Sequence, residues 1–302
     1  MGYLVHDIGH VQLNVTDPEA VVADLTGILG LAVTQRSADE VWLTAGARKV
    51  EVVLHRAEAN ALRLIGFEAP GEAEVAEVAA RLAGCGCRLV SERPSLAGVR
   101  AGVVFVSPQG HLFEVHTPVP QDIDARRHPS RGMGPKRLDH VNITAPDPGA
   151  LCDTLERLTG MRLSERMADD SLVWMRGGNR QHHILGLVKG ETGLHHYSFE
   201  VGDFADYKRL GDLLDRADKQ FVWGPGRHRP GDNTYAYFLD ASGAMVECSG
   251  DMSVIADDAA FTPNVIRKLE RPANVRVMNV WGTPAPLEWR EHRFPHAPVP
   301  QG

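Results

Sequence analysis

The amino-acid sequence predicts an α+β chain of two similar domains in tandem, each a mixed sheet that carries two helices and curls around a cleft. Three observations lead there. The chain resembles itself at an offset near 130 residues, which makes each copy one structural unit. Each copy opens with an alternating apolar strand that runs through Asp-Pro into an amphipathic helix. Each copy then carries a second amphipathic helix between further strands and closes on a matching last strand.

The elements follow in order. Residues 8–30, IGHVQLNVTDPEAVVADLTGILG, match residues 138–160, LDHVNITAPDPGALCDTLERLTG, so that His10 meets His140, Asp17 meets Asp147, Pro18 meets Pro148 and Gly30 meets Gly160. Val11, Leu13 and Val15 alternate along a strand. Asp17 is placed to cap the helix, with Pro18 at its first position. Val21, Val22, Leu25, Ile28 and Leu29 share a helical face, and Gly30 stops the helix. Residues 62–69, LRLIGFEA, match 194–201, LHHYSFEV, and residues 104–114 match 237–247. The second helices lie within 74–84 and 204–217. The expected domains are 1–118 and 137–250, joined by a linker, 119–136, rich in Pro, Gly and charge. A proline-rich stretch, 251–302, reads as a wrapping tail or lid.

Composition narrows the class. A chain of 302 residues buries a core in each of two domains, and 43% hydrophobic with 24% charged residues is a globular balance. A net charge of -7 without a basic patch argues against nucleic acid, and the apolar runs are too short to span a membrane. Cys85, Cys87, Cys152 and Cys248 lack zinc-ribbon spacing and no secretory signal is visible, which fits reduced thiols in the cytoplasm. Fourteen histidines, several clustered in the second half, are the first chemical clue.

The copies differ at one informative position. The second has His140 on its first strand, His196 on a middle strand and Glu247 on its last strand; the first has His10 and Glu114 but Leu64 in the middle. Two imidazoles and one carboxylate suit Fe(II) or Mn(II) and leave coordination positions open. The first copy is expected to bind no metal, with His10 and Glu114 structural. Each residue alone has a plainer reading, as a packed core histidine or an edge-strand carboxylate. In LHHYSFEV, alternation puts His196, Ser198 and Glu200 on one face and His195, Tyr197 and Phe199 on the other. That pattern alone leaves a metal site and a packed strand evenly matched.

The motifs resemble those of the type I extradiol dioxygenases of the vicinal oxygen chelate superfamily, nearest the homoprotocatechuate and catechol 2,3-dioxygenase branch. Their second domain reads DHV, then LHHVxFEV, then GPGRH followed by YxxDPxGxxxE. Here DHV stands at 139–141, LHHYSFEV at 194–201 and GPGRHRPGDNTYAYFLDASGAMVE at 224–247, with Ala241 in place of the usual proline. The resemblance implies two tandem vicinal-oxygen-chelate domains, each a pair of βαβββ modules. It implies Fe(II), or Mn(II) on the same ligands, held by His140, His196 and Glu247. It further implies that His182, fourteen residues before His196, manages protons, and that His228 and Tyr237 contact the catechol oxygens and help to ionise one. His183 and His195 are then expected to point away. Asn142 and Trp174 would line the pocket, and VWGTPAPLEW, 280–289, would close over it.

The implied reaction is ring opening beside the diol of a catechol by O2, with the catechol and O2 as its small-molecule partners and a homo-oligomer as the expected assembly. Where the branch carries arginines suited to a substrate carboxylate, this chain has Trp223 and Met278, which predicts an apolar substituent; Arg276 lies close enough in sequence to reverse that expectation. Two other readings stand beside this one: a non-oxygenase metalloenzyme on the same scaffold, such as a glyoxalase-like isomerase or a transferase, and a protein that only binds an aromatic ligand.

Overall fold

The computed structural model describes residues 2–122, 132–267 and 275–299, without the side chains of Val275 and Arg276. Most of the expected linker, 123–131, and the Arg276 side chain therefore lie outside the described residues. The first repeat runs β1 (Asp7–Val15), α1 (Pro18–Asp24), β2 (Ala32–Arg36), β3 (Glu40–Thr44), β4 (Val52–Arg56), β5 (Ala61–Glu68), α2 (Glu72–Arg81), β6 (Arg88–Ser91), β7 (Gly102–Val106) and β8 (Leu112–His116). The second runs β9 (Leu138–Ala145), α3 (Pro148–Thr159), β10 (Arg162–Met167), β11 (Leu172–Arg176), β12 (Leu185–Lys189), β13 (Gly193–Glu200), α4 (Ala205–Arg216), β14 (Trp223–His228), β15 (Thr234–Leu239) and β16 (Met245–Gly250). Each repeat is thus two βαβββ units.

The caps form as the sequence predicts. Asp17 and Asp147 accept the backbone N–H of Ala20 and Ala150, and Gly30 and Gly160 end their helices at φ 85 and 71. One difference is local: after Asp24 the first helix widens into a π turn over Leu25–Leu29, which keeps Leu25, Ile28 and Leu29 buried.

The first sheet orders its strands β2-β3-β4-β1-β5-β8-β7-β6, and the second repeats this as β10-β11-β12-β9-β13-β16-β15-β14. The tail extends the second sheet with β17 (Asn264–Ile266) beside β10, β18 (Asn279–Trp281) beside β14 and β19 (Phe294–Pro295) on β13. One apolar core runs through both repeats under the helices, from Ile8, Leu13 and Phe67 to Val141, Leu155 and Phe199. The opposite face of the second sheet carries the polar cluster described below.

A bulge decides which side chains reach that face. Leu194 pairs with Ile143 but His196 pairs with Asn142, so His195 is the extra residue. Leu194 and Tyr197 thereby both enter the core, and His196 and Ser198 both face away from it. Pure alternation would have grouped Leu194 with His196. The first sheet has the same irregularity at Arg63, between Leu62 and Leu64.

Gly160 offers a test of the shared helix stop. A Cβ there would lie 2.5 Å from the Gly2 carbonyl oxygen in a left-handed backbone conformation. Gly160→Ala should cost about 1–3 kcal/mol, read from the urea midpoint at unchanged slope. Gly84→Ala, with nothing within 4 Å of the new Cβ, should not lower that midpoint.

Candidate metal centre

Three adjacent strands build the cluster. Ser198 on β13 pairs with His140 on β9 and with Glu247 on β16, so the two long side chains flank a small one and meet above it. His196, two residues earlier on the same face, completes the group. Glu247 Oε2 lies 2.8 Å from His140 Nε2 and 3.0 Å from His196 Nε2, and each side chain is about 1% exposed. The three donor atoms lie within 4.8 Å of one another.

Hydrogen bonds set the tautomers of both histidines. A carboxylate only accepts, so His140 Nδ1–H donates to Asp139 Oδ2 at 2.8 Å and leaves Nε2 toward Glu247. Trp289 O, also only an acceptor, lies 2.9 Å from His195 Nε2, which must carry the proton. Burial holds His195 well below the ordinary histidine range, so it is neutral and its Nδ1 is bare. That Nδ1 accepts from His196 Nδ1–H at 2.7 Å, which leaves the His196 Nε2 lone pair to accept from the Asn142 amide at 2.9 Å, beside Glu247. His195 is therefore neither a core residue nor a solvent contact; it orients its neighbour. Asp139 is itself held by Arg137 and Gln181, and Arg137 reaches Asp7 of the first repeat at 3.0 Å.

The charge balance suits a cation. Burial alone would lower His140, but Glu247 and Asp139 raise it to about 9. Burial alone would raise Glu247, but His140 and His196 hold it well below the usual carboxylate range. Two oriented nitrogens and a buried anion around one point fit a divalent metal. Among the described residues, the other grouping of metal-binding side chains, Cys152, Asp153 and Glu156, lies on α3 with Asp153 exposed.

The pocket beside the cluster draws its wall from β9, β11, β12, β14, β15 and β16, so the second sheet curls around it. Asn142, Trp174, His228, Tyr237 and Met278 line it, as do Trp289 of the tail and His183. Its enclosed void is only about 20 Å³, close to the room one water needs. Neither lysine nor arginine is among the described wall residues.

Two expected residues lie elsewhere. His182 does not reach the wall; its Nε2 is 3.3 Å from Glu165 and its Nδ1 3.1 Å from His183. His183 instead sits edge-on to His140, ring centroids 4.5 Å apart. Both precede the start of β12 at Leu185, in a segment without strand register, so counting back from His196 could not decide which of two adjacent imidazoles turns inward. Trp223 stacks behind Tyr237 at 5.6 Å and donates its indole N–H to Thr283 O, off the wall. Trp289 was visible only as part of the tail motif, whereas Asn233 and Val188 carried no signal.

His228 and Tyr237 form a defined pair. Asn279 gives its amide protons to Tyr235 and the Thr283 carbonyl, so its Oδ1 accepts from His228 Nδ1–H at 3.1 Å. The bare His228 Nε2 then accepts from the Tyr237 hydroxyl at 3.0 Å. Burial lowers His228 to about 4, and burial with Glu247 nearby raises Tyr237 well above its ordinary value.

Duplicated βαβββ sheets with a His-His-Glu cluster in the second define the class, and comparison with known proteins agrees. Residues 7–115 and 137–248 match the Glyoxalase/Bleomycin resistance protein/Dioxygenase superfamily, and the chain belongs to it. Metapyrocatechase 2 of Cupriavidus necator is 29% identical over 279 residues, 86% of this chain and 85% of that protein. Among solved structures, a Mn(II)-bound glyoxalase from Novosphingobium aromaticivorans superposes with a TM-score of 0.86 at 25% identity, over 97% of this chain and 96% of that one. The homoprotocatechuate 2,3-dioxygenase of Brevibacterium fuscum, in complex with 3,4-dihydroxyphenylacetate, gives 0.85 at 21% identity, over 97% and 93%, a likeness of fold.

Outer partners of metal ligands typically govern affinity by 10–100-fold, on the order of magnitude expected here. Asp139→Asn and His195→Leu should each weaken Mn(II) binding by about that factor, read by chelator competition. Unchanged affinity in both would refute the orienting role.

Proposed function

We propose that this chain is an Fe(II)-dependent extradiol dioxygenase that opens an apolar-substituted catechol beside its diol with O2, in the breakdown of aromatic compounds. The observation that carries this reading is the meeting of the His140–His196–Glu247 cradle and the His228–Tyr237 pair at one pocket, whose wall has no cation among the described residues. The relationship to metapyrocatechase 2 supports it.

Iron held by the three ligands would supply Lewis acidity to a catechol hydroxyl and a path for electrons from the ring to O2. The remaining work falls to the protein. Tyr237 keeps its proton, so the acceptor for a catechol hydroxyl proton is His228 Nε2, freed when the Tyr237 hydroxyl turns from it to donate to the catechol oxygen. This divides a task that sequence motifs assign to both alike. His183, on the His140 side, takes the proton-handling role expected of His182 and supplies a proton as the ring opens. Among the described wall residues, Leu172, Trp174, Val188 and Met278 offer a substrate carboxylate no partner, which disfavours it. Asn142 is the polar group on that wall; Trp223 acts by backing Tyr237.

A second reading draws on the likeness to the Mn(II)-bound glyoxalase: a metal-dependent isomerase or transferase that uses no O2. Mn(II) in place of Fe(II) is compatible with the same ligands. No helix of the described residues is long and apolar enough to cross a membrane, and the four cysteines are free; we place the protein in the cytoplasm. We expect a homo-oligomer, with the exposed Phe204–Trp281 pair, 5.7 Å apart, as one apolar surface to cover.

Anaerobically Fe(II)-loaded protein mixed with 3- or 4-methylcatechol and then O2 should give a yellow ring-opened product with one O2 consumed per catechol. Isomerase chemistry without O2 uptake would sink the proposal. The kcat/KM for 3,4-dihydroxyphenylacetate should fall at least about tenfold below that for 4-methylcatechol; the reverse order would remove the apolar-substituent inference. His183→Asn should slow turnover by about 10²–10⁴, and His182→Asn by less than about tenfold. Equal effects would return the role to either residue.

A further inference from the structure

The first sheet keeps a cleft where the second has its pocket, and the strand registers superpose the two. Gln12 paired with Leu64 stands where Asn142 pairs with His196, Val104 opposite Glu114 where Tyr237 lies opposite Glu247, and His55 beside Asn14 where Val188 lies beside Thr144. The cleft is larger than the pocket, with a cavity of about 410 Å³. That is within the range of small-molecule sites.

Its inner end is closed to a metal. Leu64 has no donor atom. His10 Nδ1 lies 3.2 Å from His116 Nε2, and its Nε2 meets the Gln12 amide at 3.1 Å. Glu114 accepts the Ser95 N–H at 2.9 Å and the Ser95 hydroxyl. The polar groups of the lost site thus satisfy one another.

What remains open is amphipathic. Leu64, Val104 and Leu112 form an apolar cluster on the wall, and Arg63 and Arg93 add two guanidinium groups. Among the described residues neither arginine has a carboxylate partner; Arg63 has a contact to Asn14 Oδ1 at 3.4 Å. Ala297 and Pro298 of the tail close one side, tied by the Ala297 N–H to Leu62 O at 2.7 Å. A filled, collapsed core is the ordinary fate of a vacated interior, because close packing is favoured. This cleft stays open, with the apolar patch set among Gln12, Asn14, His55, Ser91 and Ser95 and the two arginines on its wall.

We propose that the cleft of the first domain is a second, metal-free binding site for a small organic carboxylate with an apolar body. The apolar body would cover Leu64, Val104 and Leu112, and the carboxylate would take paired hydrogen bonds from the arginines. The site does not rest on the catalytic reading, and binding is measured without turnover.

The test uses 4-fluorobenzoate and 4-fluorophenylacetate as probes and ¹⁹F NMR titration of the full chain. Saturable binding with a Kd on the order of 1 mM or tighter is expected for at least one probe. The double variant Arg63→Gln/Arg93→Gln should weaken it at least about tenfold, because charge-assisted pairs are lost. Neither arginine lines the catalytic pocket, so Mn(II) affinity of the double variant should equal that of the parent and report an intact fold. Absence of saturation for both probes up to roughly tenfold above that Kd, or binding equal in parent and double variant, overturns the proposal. Equal binding would place the probe elsewhere, the catalytic pocket included.

Discussion

Glu247 is a carboxylate cut off from water in the middle of a sheet, and much of the second domain is arranged around that charge. An isolated buried anion is too costly to keep. It persists because register brings His140 and His196 to the same oxygen, the first from β9 across Ser198 and the second from along β13. The geometry needs a small residue between two long ones. Where the first domain has Gly66 in place of Ser198, an added Cβ would fall 2.1 Å from the His10 ring, so there the imidazole has settled onto the backbone instead of reaching across it.

Holding the ligands is a separate task from supplying them, and the two outer partners, Asp139 on β9 and His195 on β13, are themselves fixed by groups from beyond those strands. Asp139 fixes His140 but is fixed by Arg137, whose other partner, Asp7, belongs to the first domain. His195 fixes His196 but is fixed by a tail carbonyl. The first domain and the tail are therefore parts of the metal cradle without contributing an atom to it. The tail also brings Met278 and Trp289 to the pocket wall, so the same segment lines the pocket and orients His196.

The fold was readable because its signals are local and doubled: each Asp-Pro helix start and Gly stop occurs twice, and each copy supports the other. The family followed from motifs, and the three members of the cluster stand on adjacent strands where register leaves little freedom. Reading failed where register does. His182 and His183 sit before β12 starts, so their order in sequence says nothing about which turns inward. His195 was misjudged because a bulge interrupts the period of two on which a face assignment rests. Trp223 was expected on the wall from its place in a motif, but Tyr237 stands between it and the void. The role of Trp289 depends on a backbone carbonyl, which no side-chain pattern announces.

The two domains show how little of a metal site resides in its ligand set. Leu64 against His196 is the visible difference, yet a histidine there would meet partners already committed elsewhere. His10 is engaged on both nitrogens, by His116 and Gln12, and Glu114 is held by Ser95. Burial raises Glu114 to about 7, because no cation faces it closely enough to hold it ionised, whereas Glu247 between two imidazoles is driven the other way. The same strand order thus shifts equivalent carboxyl groups in opposite directions. What separates them is whether the surrounding hydrogen bonds point lone pairs at one place or consume them in pairs.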